Sequence, residues 1–212
     1  MLRQINVGRS KLKLFPNKGI AKEMGKVLES TWPPEDRQWQ DVALDGCTKS
    51  GNSVQGVSGG GGTIASVNFA CDAIDSMNDI LISGLSTLHL DVQASMDGGQ
   101  IFVEMQDAET GLRLGHATMD IRYHQGGSDP TTVLPGQTVT MLMEFQAIDA
   151  VLPAGHGIRL VLTETGEDYL APACGVTCPV TVNGGTLSLP HVIRDGSNVL
   201  ITPQSEDAAN NQ

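Results

Sequence analysis

The stretch Val133-Leu-Pro-Gly-Gln-Thr-Val-Thr-Met-Leu-Met-Glu-Phe-Gln146, followed by Leu152-Pro-Ala-Gly-His-Gly-Ile-Arg-Leu-Val-Leu162, decides the fold class. Val139, Met141, Met143 and Phe145 recur with period two, as do Ile158, Leu160 and Leu162. Successive side chains of a strand point to opposite faces, so each set lines one face of a half-buried strand. The pattern reads as two β-strands around a Pro-Ala-Gly-His turn.

The same period runs outward in both directions. In Leu88-His-Leu-Asp-Val-Gln-Ala94, the residues Leu88, Leu90, Val92 and Ala94 face inward and His89, Asp91 and Gln93 face out. Asp97-Gly98-Gly99 follows, and then Ile101, Val103 and Met105 form the next inward set; Asp-Gly between alternating runs predicts a hairpin. Asp107-Ala-Glu-Thr-Gly111 makes another turn. The phase then shifts, with Leu112 and Leu114 even but Ala117, Met119, Ile121 and Tyr123 odd, and a bulge at Gly115 absorbs the extra residue. Shorter strands are expected at 179–182, 186–189 and 198–202. Thr31-Trp-Pro-Pro-Glu35 breaks any helix, because two prolines remove donors and fix φ. Ser58-Gly-Gly-Gly-Gly-Thr63 reads as a flexible loop after a first hairpin-like region.

Short strands with turn chemistry between them and no βαβ alternation predict an all-β fold, a sandwich or jelly roll. Residues 1–29 form an irregular N-terminal arm or linker, 30–203 the sandwich and 204–212 a polar, disordered tail. The arm holds seven of the 13 basic residues (Arg3, Arg9, Lys11, Lys13, Lys18, Lys22 and Lys26). Ile20, Met24, Val27 and Leu28 fall on one helical face, although Gly19 and Gly25 oppose a helix there.

The 212 residues suffice for one large β-domain, and with only 4% aromatic residues the core falls to Val, Leu, Ile, Ala and Met. A formal charge of −11 argues against nucleic acid, which is held by clustered Lys and Arg. No apolar run approaches the ~20 residues that cross a bilayer, so no membrane insertion is expected. The first residues lack the apolar core of a secretory signal, which fits either a cytosolic protein or a true N-terminus further upstream. Cys47, Cys71, Cys174 and Cys178 allow Cys47–Cys71 and Cys174–Cys178 disulfides, free thiols, or, for the close pair Cys174/Cys178, a metal. Paired cysteines would favour an extracellular or cell-surface setting.

The residues offer little catalytic chemistry. A nucleophile elbow needs G-x-S-x-G on a strand-to-helix turn. Gly84-Leu85-Ser86 starts that pattern but Leu88 stands where the last glycine belongs, and Gly51-Asn-Ser-Val-Gln-Gly56 is off by one residue. No spacing singles out a catalytic histidine among His89, His116, His124, His156 and His191; His89 reads as a solvated side chain, and His156 as a residue that packs or hydrogen-bonds at a strand start. No H-E-x-x-H or Cys/His cluster supports catalytic zinc, and no cofactor is expected. Asp72, Asp75, Asn78 and Asp79 are weak calcium candidates, since they place four oxygen donors in eight residues. The competing reading is an Asx-rich entry to a strand at Ile80–Ile82.

Taken in order, several segments resemble the C-terminal domain of Xaa-Pro dipeptidyl-peptidases and cocaine-esterase-like serine hydrolases. Ser30-Thr-Trp-Pro-Pro34 resembles the family's Trp-Pro-Pro entry (Trp32, Pro33, Pro34), and Val42-Ala-Leu-Asp-Gly46 the strand and Asp-Gly turn after it (Asp45, Gly46). Asp79-Ile-Leu-Ile-Ser-Gly84, leading to Leu88–Val92, resembles the strand-Gly-strand step centred on Gly84. Gly99–Asp107 resembles the next strand, with Gly111 in the turn after it. Leu134-Pro-Gly136 (Pro135, Gly136), Leu152-Pro-Ala-Gly-His156 (Gly155, His156) and Leu187-Ser-Leu-Pro190 (Pro190) complete the series. The family commonly has arginine directly after the Gly-His pair, whereas here Gly157 and Ile158 precede Arg159. The insert at 47–71, with its two cysteines and glycine run, is a further departure.

The resemblance covers about residue 30 to about 192. It implies a galactose-binding-like jelly roll that is not itself catalytic and that caps and stabilises an α/β-hydrolase domain or subunit carrying the Ser-Asp-His triad. Peptidase or esterase activity would require that partner. The alternative is a stand-alone β-sandwich binding module for a carbohydrate or cell-surface partner, for which Trp32, Trp39, Tyr123 and Tyr169 are the candidate stacking aromatics.

Overall fold

Alternation in the sequence becomes alternation in burial. The computed structural model describes residues 32–57, 60–166 and 178–193. Strand β10 (Thr138–Glu144) buries every second residue without exception. It pairs antiparallel with β7 (Thr87–Ala94), so that Val139, Met141 and Met143 stand opposite Val92, Leu90 and Leu88 on the core side. These six side chains are all buried. Burying a residue of this kind stabilises by about 1.5–3 kcal/mol, so the shared period fixes the register.

The other strands are β1 (Gln38–Ala43), β2 (Thr48–Ser50), β3 (Ser53–Val57), β4 (Gly60–Ala65), β5 (Val67–Cys71), β6 (Ile80–Gly84), β8 (Gln100–Asp107), β9 (Arg113–Asp120), β11 (Ile148–Leu152), β12 (Ile158–Thr163) and β13 (Val180–Ile193). They form two antiparallel sheets, and no α-helix occurs among the described residues. One sheet is centred on β13 and the other runs β2-β5-β12-β8-β9. In the first, β7 and β6 lie end to end along one edge of β13, and β10 and β11 lie end to end beyond them. β3 and β1 take the other edge, and β4 pairs outside β3. Leu90, Met141 and Leu187 from one sheet and Phe69, Ile101, Met105 and Leu160 from the other belong to a single buried cluster. The molecule is a jelly-roll β-sandwich.

Four local expectations differ from the structure. The Asp97-Gly98-Gly99 turn does not close a hairpin, because β7 and β8 belong to different sheets. Gly98 and Gly99 have φ of +117° and +122°, and Asp97 turns its carboxylate to the Val133 N–H at 3.0 Å, so the segment is an arch between sheets. The glycine run is strand from Gly60 onward. The expected strands at 179–182 and 186–189 are one strand of 14 residues, with a bulge between Val182 and Gly184. Finally, the Pro-Ala-Gly-His turn joins β11, not β10, to β12, and in doing so passes from one sheet to the other. The β8–β9 hairpin has its register shift between Gly115 and Arg113. The expected strand at 198–202, the arm and the tail lie outside the described residues.

Candidate functional site

The Pro-Ala-Gly-His turn, residues 153–156, lies between the 75–79 segment and the β8–β9 turn and is hydrogen-bonded to both. The Ala154 N–H donates to Asp79 Oδ1 at 2.9 Å, and the Gly155 N–H to the Asp75 carbonyl at 3.0 Å. Gly155 has φ of +79°, which suits glycine. His156 turns the other way, with Nδ1 3.0 Å from Asp107 Oδ2 and 3.1 Å from Oδ1. A carboxylate only accepts, so Nδ1 carries the hydrogen. The Gly157 N–H donates to Glu109 Oε2 at 2.9 Å, and the Ala108 N–H donates back to the Gly157 carbonyl at 3.0 Å. Arg159 closes the set by donating from Nη2 to the Ala108 carbonyl at 2.8 Å.

Asp107 is the buried member, only 3% exposed. Its Oδ1 also accepts from the N–H groups of Glu109 (3.0 Å) and Thr110 (3.3 Å), which folds the β8–β9 turn around it. Burial by itself raises its pKa. Hydrogen bonds from His156, the Thr110 hydroxyl and the two N–H groups outweigh burial and hold the carboxyl below its ordinary range. Asp107, Glu109 and His156 place one ligand-type atom each within 4.8 Å of one another, the grouping of that kind found among the described residues. All three are already engaged with one another or with the backbone.

The calcium candidates lie on the other side of this turn. Asp75 Oδ1 accepts from the N–H groups of Met77 (2.8 Å) and Asn78 (2.9 Å), an Asx turn. The Met77 N–H, then the Asn78 side chain and N–H, lower the Asp75 pKa against burial, and His191 adds an attraction. Asp79 Oδ1 is taken by Ala154. Asp72 and Asn78 are exposed. The Oδ1 atoms of Asp75 and Asp79 therefore serve backbone N–H groups, and Asp75 Oδ2 accepts from the Asn78 side chain.

The remaining motif residues gather elsewhere. Gly84 ends β6 with φ of +133°, and a Cβ there would sit 3.1 Å from Pro190 Cγ and 3.6 Å from Pro33 Cβ. The segment Trp32-Pro33-Pro34, with a cis Trp32–Pro33 peptide, thus lies against the break between β6 and β7. Pro34 is buried, and its carbonyl accepts from Arg37 Nη1 at 3.2 Å. Asp45 and Gly46 form an exposed 3-10 turn after β1. Pro135 and Gly136 lead into β10, and there the Gly136 N–H donates to the Ala94 carbonyl at 2.8 Å while Gln93 Nε2 donates to the Gly136 carbonyl at 2.7 Å. Cys47 and Cys71 are joined by a disulfide. Cys178 is disulfide-bonded, and Cys174 lies outside the described residues. Of the candidate aromatics, Trp32 and Trp39 are about half exposed (50% and 55%), Tyr123 is partly buried and Tyr169 lies outside the described residues.

In the sequence, Asp107 and Glu109 read as turn residues with no link to His156. The two positions are 49 residues apart, and only the pairing of β8 with β12, which sets Ile158 opposite Asp107, brings them together.

The fold and its turn hub define a class, a jelly-roll β-sandwich whose polar clusters tie loops together. Within that class, the chain matches the model of the X-Pro dipeptidyl-peptidase C-terminal non-catalytic domain over residues 76–198, and it belongs to that family. Solved structures share the fold. An aminopeptidase from a marine sediment Thaumarchaeota archaeon aligns with a TM-score of 0.57 and 11% identity, over 78% of this chain and 38% of that one. A CocE/NonD family hydrolase from Staphylococcus aureus aligns with a TM-score of 0.57 and 12% identity, over 77% of this chain and 38% of that one. The chain thus corresponds to under two fifths of the length of either. No curated protein matches it.

Proposed function

We propose that this chain is the accessory β-domain of an Xaa-Pro dipeptidyl-peptidase or esterase-type serine hydrolase, capping and stabilising an α/β-hydrolase domain that carries the chemistry. The observation that carries this reading is the family match, whose members are non-catalytic C-terminal domains. The site agrees with it. The hub at His156 uses its ionisable groups to tie loops together, the arrangement expected of a scaffold.

A docking face is suggested by where apolar surface remains. Trp39 stands opposite Pro190 in the β1–β13 ladder, and Pro190 touches the Gly84 position beside Pro33. Trp32 and Leu85, each exposed, are chain neighbours of Pro33 and Gly84. Two half-exposed tryptophans joined by prolines make a surface suited to burial against a second domain. In the stand-alone alternative the same tryptophans would stack on a sugar.

The test is the reading frame around the codon for Met1 in the source genome. A hydrolase domain with G-x-S-x-G, in frame or in an adjacent gene, is expected. Its absence would overturn the proposal in favour of the binding module.

A further inference from the structure

Glu164 follows β12 and points into the sandwich, only 1% exposed. Its Oε2 accepts the N–H of Gly56 on β3, in the opposite sheet. Its Oε1 is buried with no hydrogen-bond partner. A side chain at position 56 would collide with the carboxylate, since a Cβ there would lie 2.6 Å from Oε2. Among the described residues, no cation contributes to the charge balance of Glu164. β3 (SVQGV), β4 (GGGTIA) and β5 (VNFAC, its cysteine in the disulfide) carry no ionisable side chain. On β8, Glu104 is paired with Arg113 and Asp107 with His156, while Lys49 on β2 donates to the Val182 carbonyl. Burial, which raises the Glu164 pKa, and the Gly56 N–H, which lowers it, are the two influences on its charge, and burial dominates.

The strand that Glu164 holds is weakly attached to its own sheet. β3 meets β13 at two positions only, Val54 with Val180 and Ser53 with Thr181, with one further bond from the Val182 N–H to the Asn52 carbonyl at 2.9 Å. β4 lies outside β3 at the sheet edge. Besides the burial of Val54 in the core and these ladder bonds, the bond from Glu164 to Gly56 is a further tie between the β3–β4 hairpin and the body.

We propose that Glu164 is a proton-operated clasp between the two sheets: as a neutral carboxyl it holds the β3–β4 hairpin against the end of β12, and on ionisation it loosens the hairpin and admits water to the end of the sandwich. An ionised carboxylate with one buried oxygen unpartnered is costly, and opening the hairpin hydrates it. Between the ordinary carboxylate range and the raised value of Glu164, the opening equilibrium should grow by up to about tenfold per pH unit, the limit for release of one proton.

The test is amide exchange and ¹H–¹⁵N spectroscopy on the full chain from about pH 4 to about pH 9, the span over which buried glutamates titrate. After correction for intrinsic exchange, protection at Gln55 and Gly56 should fall with rising pH relative to Leu160 and Val161, and the Gly56 resonance should titrate with it. Glu164→Gln keeps an acceptor for Gly56 and should abolish both responses. Protection in the hairpin that follows β12 at every pH, or an unchanged response in Glu164→Gln, would overturn the proposal. If that variant does not fold, the wild-type Gly56 resonance decides alone, and a flat titration across the range overturns the clasp.

Discussion

His156 Nδ1 lies 3.0 Å from Asp107 Oδ2, and this pair joins the turn that enters β12 to the turn that leaves β8. The two turns are also tied by the Ala108 N–H, which donates to the Gly157 carbonyl, and by the Gly157 N–H, which donates to the Glu109 carboxylate. Removing either side chain leaves the other partly buried without its partner, and hydrogen bonds to charged groups contribute about 1.5–3 kcal/mol. His156→Ala should therefore destabilise the domain by about 2 kcal/mol, read from urea unfolding. Asp107→Ala should cost more, because Glu109 and Thr110 lose an acceptor as well. Equal, negligible losses would show that the pair is incidental.

The pH dependence of that pair has a definite sign. The folded state holds the Asp107 pKa below its ordinary value, so the unfolded chain binds more protons between the two values. The resulting stability is fully present above the ordinary carboxylate range and is lost as pH falls through the depressed folded value. Asp107→Asn should flatten this acid-side loss in a series of unfolding curves at decreasing pH. A variant that loses stability toward acid as steeply as the wild type would assign that slope to other carboxylates.

Gly157 stands directly after the Gly155-His156 pair, the position at which the resemblance implies an arginine. A Cβ at this position would lie 2.2 Å from the Cys71 carbonyl oxygen, closer than any side chain tolerates. Cys71 ends β5 and is held by the bond to Cys47, so the backbone that blocks position 157 is anchored by the disulfide. Gly157→Arg should destabilise by more than about 3 kcal/mol or prevent folding, as overpacking against fixed backbone does. A variant with wild-type thermal unfolding would show that β5 can yield there.

Legibility in the sequence followed the range of the forces. The period of two in Val139–Phe145 and Leu88–Ala94 is a local signal, and the strands it marks are in place with the expected residues inside. What it could not carry was partnership. Asp97-Gly98 has hairpin chemistry, yet the arch leads to the other sheet, because the Asp97 carboxylate goes to Val133 rather than to its own turn. Gly60–Gly62 lack side chains and so give no pattern, and only pairing with β3 makes them strand. Glu164 was invisible for a similar reason, since a lone glutamate after an apolar run reads as a strand end until the opposite sheet is seen to cover it.

The disulfide makes a separate prediction. Cys47 and Cys71 close a loop over a sequence separation of 24, for which the chain-entropy relation gives about 3.5 kcal/mol. The Cys47→Ser/Cys71→Ser double variant should lose about that much stability while Cys178 keeps its own bond. Any further loosening of the folded state should appear at β2, which pairs with β5 over only three positions. Amide exchange at Thr48–Ser50 should speed up more than at β12. A uniform change would place the effect in the unfolded chain alone.

Trp39 separates the cost of folding from the cost of docking. It is 55% exposed and stands opposite Pro190, so truncation removes little that the isolated domain buries. Trp39→Ala should change the unfolding midpoint of the chain alone only slightly, as exposed substitutions do, by about 0.5 kcal/mol. Against the hydrolase domain proposed above, the same substitution should weaken association by about 2 kcal/mol or more, since tryptophans at the centre of an interface carry much of its energy. The chain has only two tryptophans, Trp32 and Trp39, so their fluorescence reports on this face without labelling. Titration with the hydrolase domain should shift the emission to the blue as both rings leave water. A complex that forms with unchanged emission and tolerates Trp39→Ala would place the docking surface elsewhere on the sandwich.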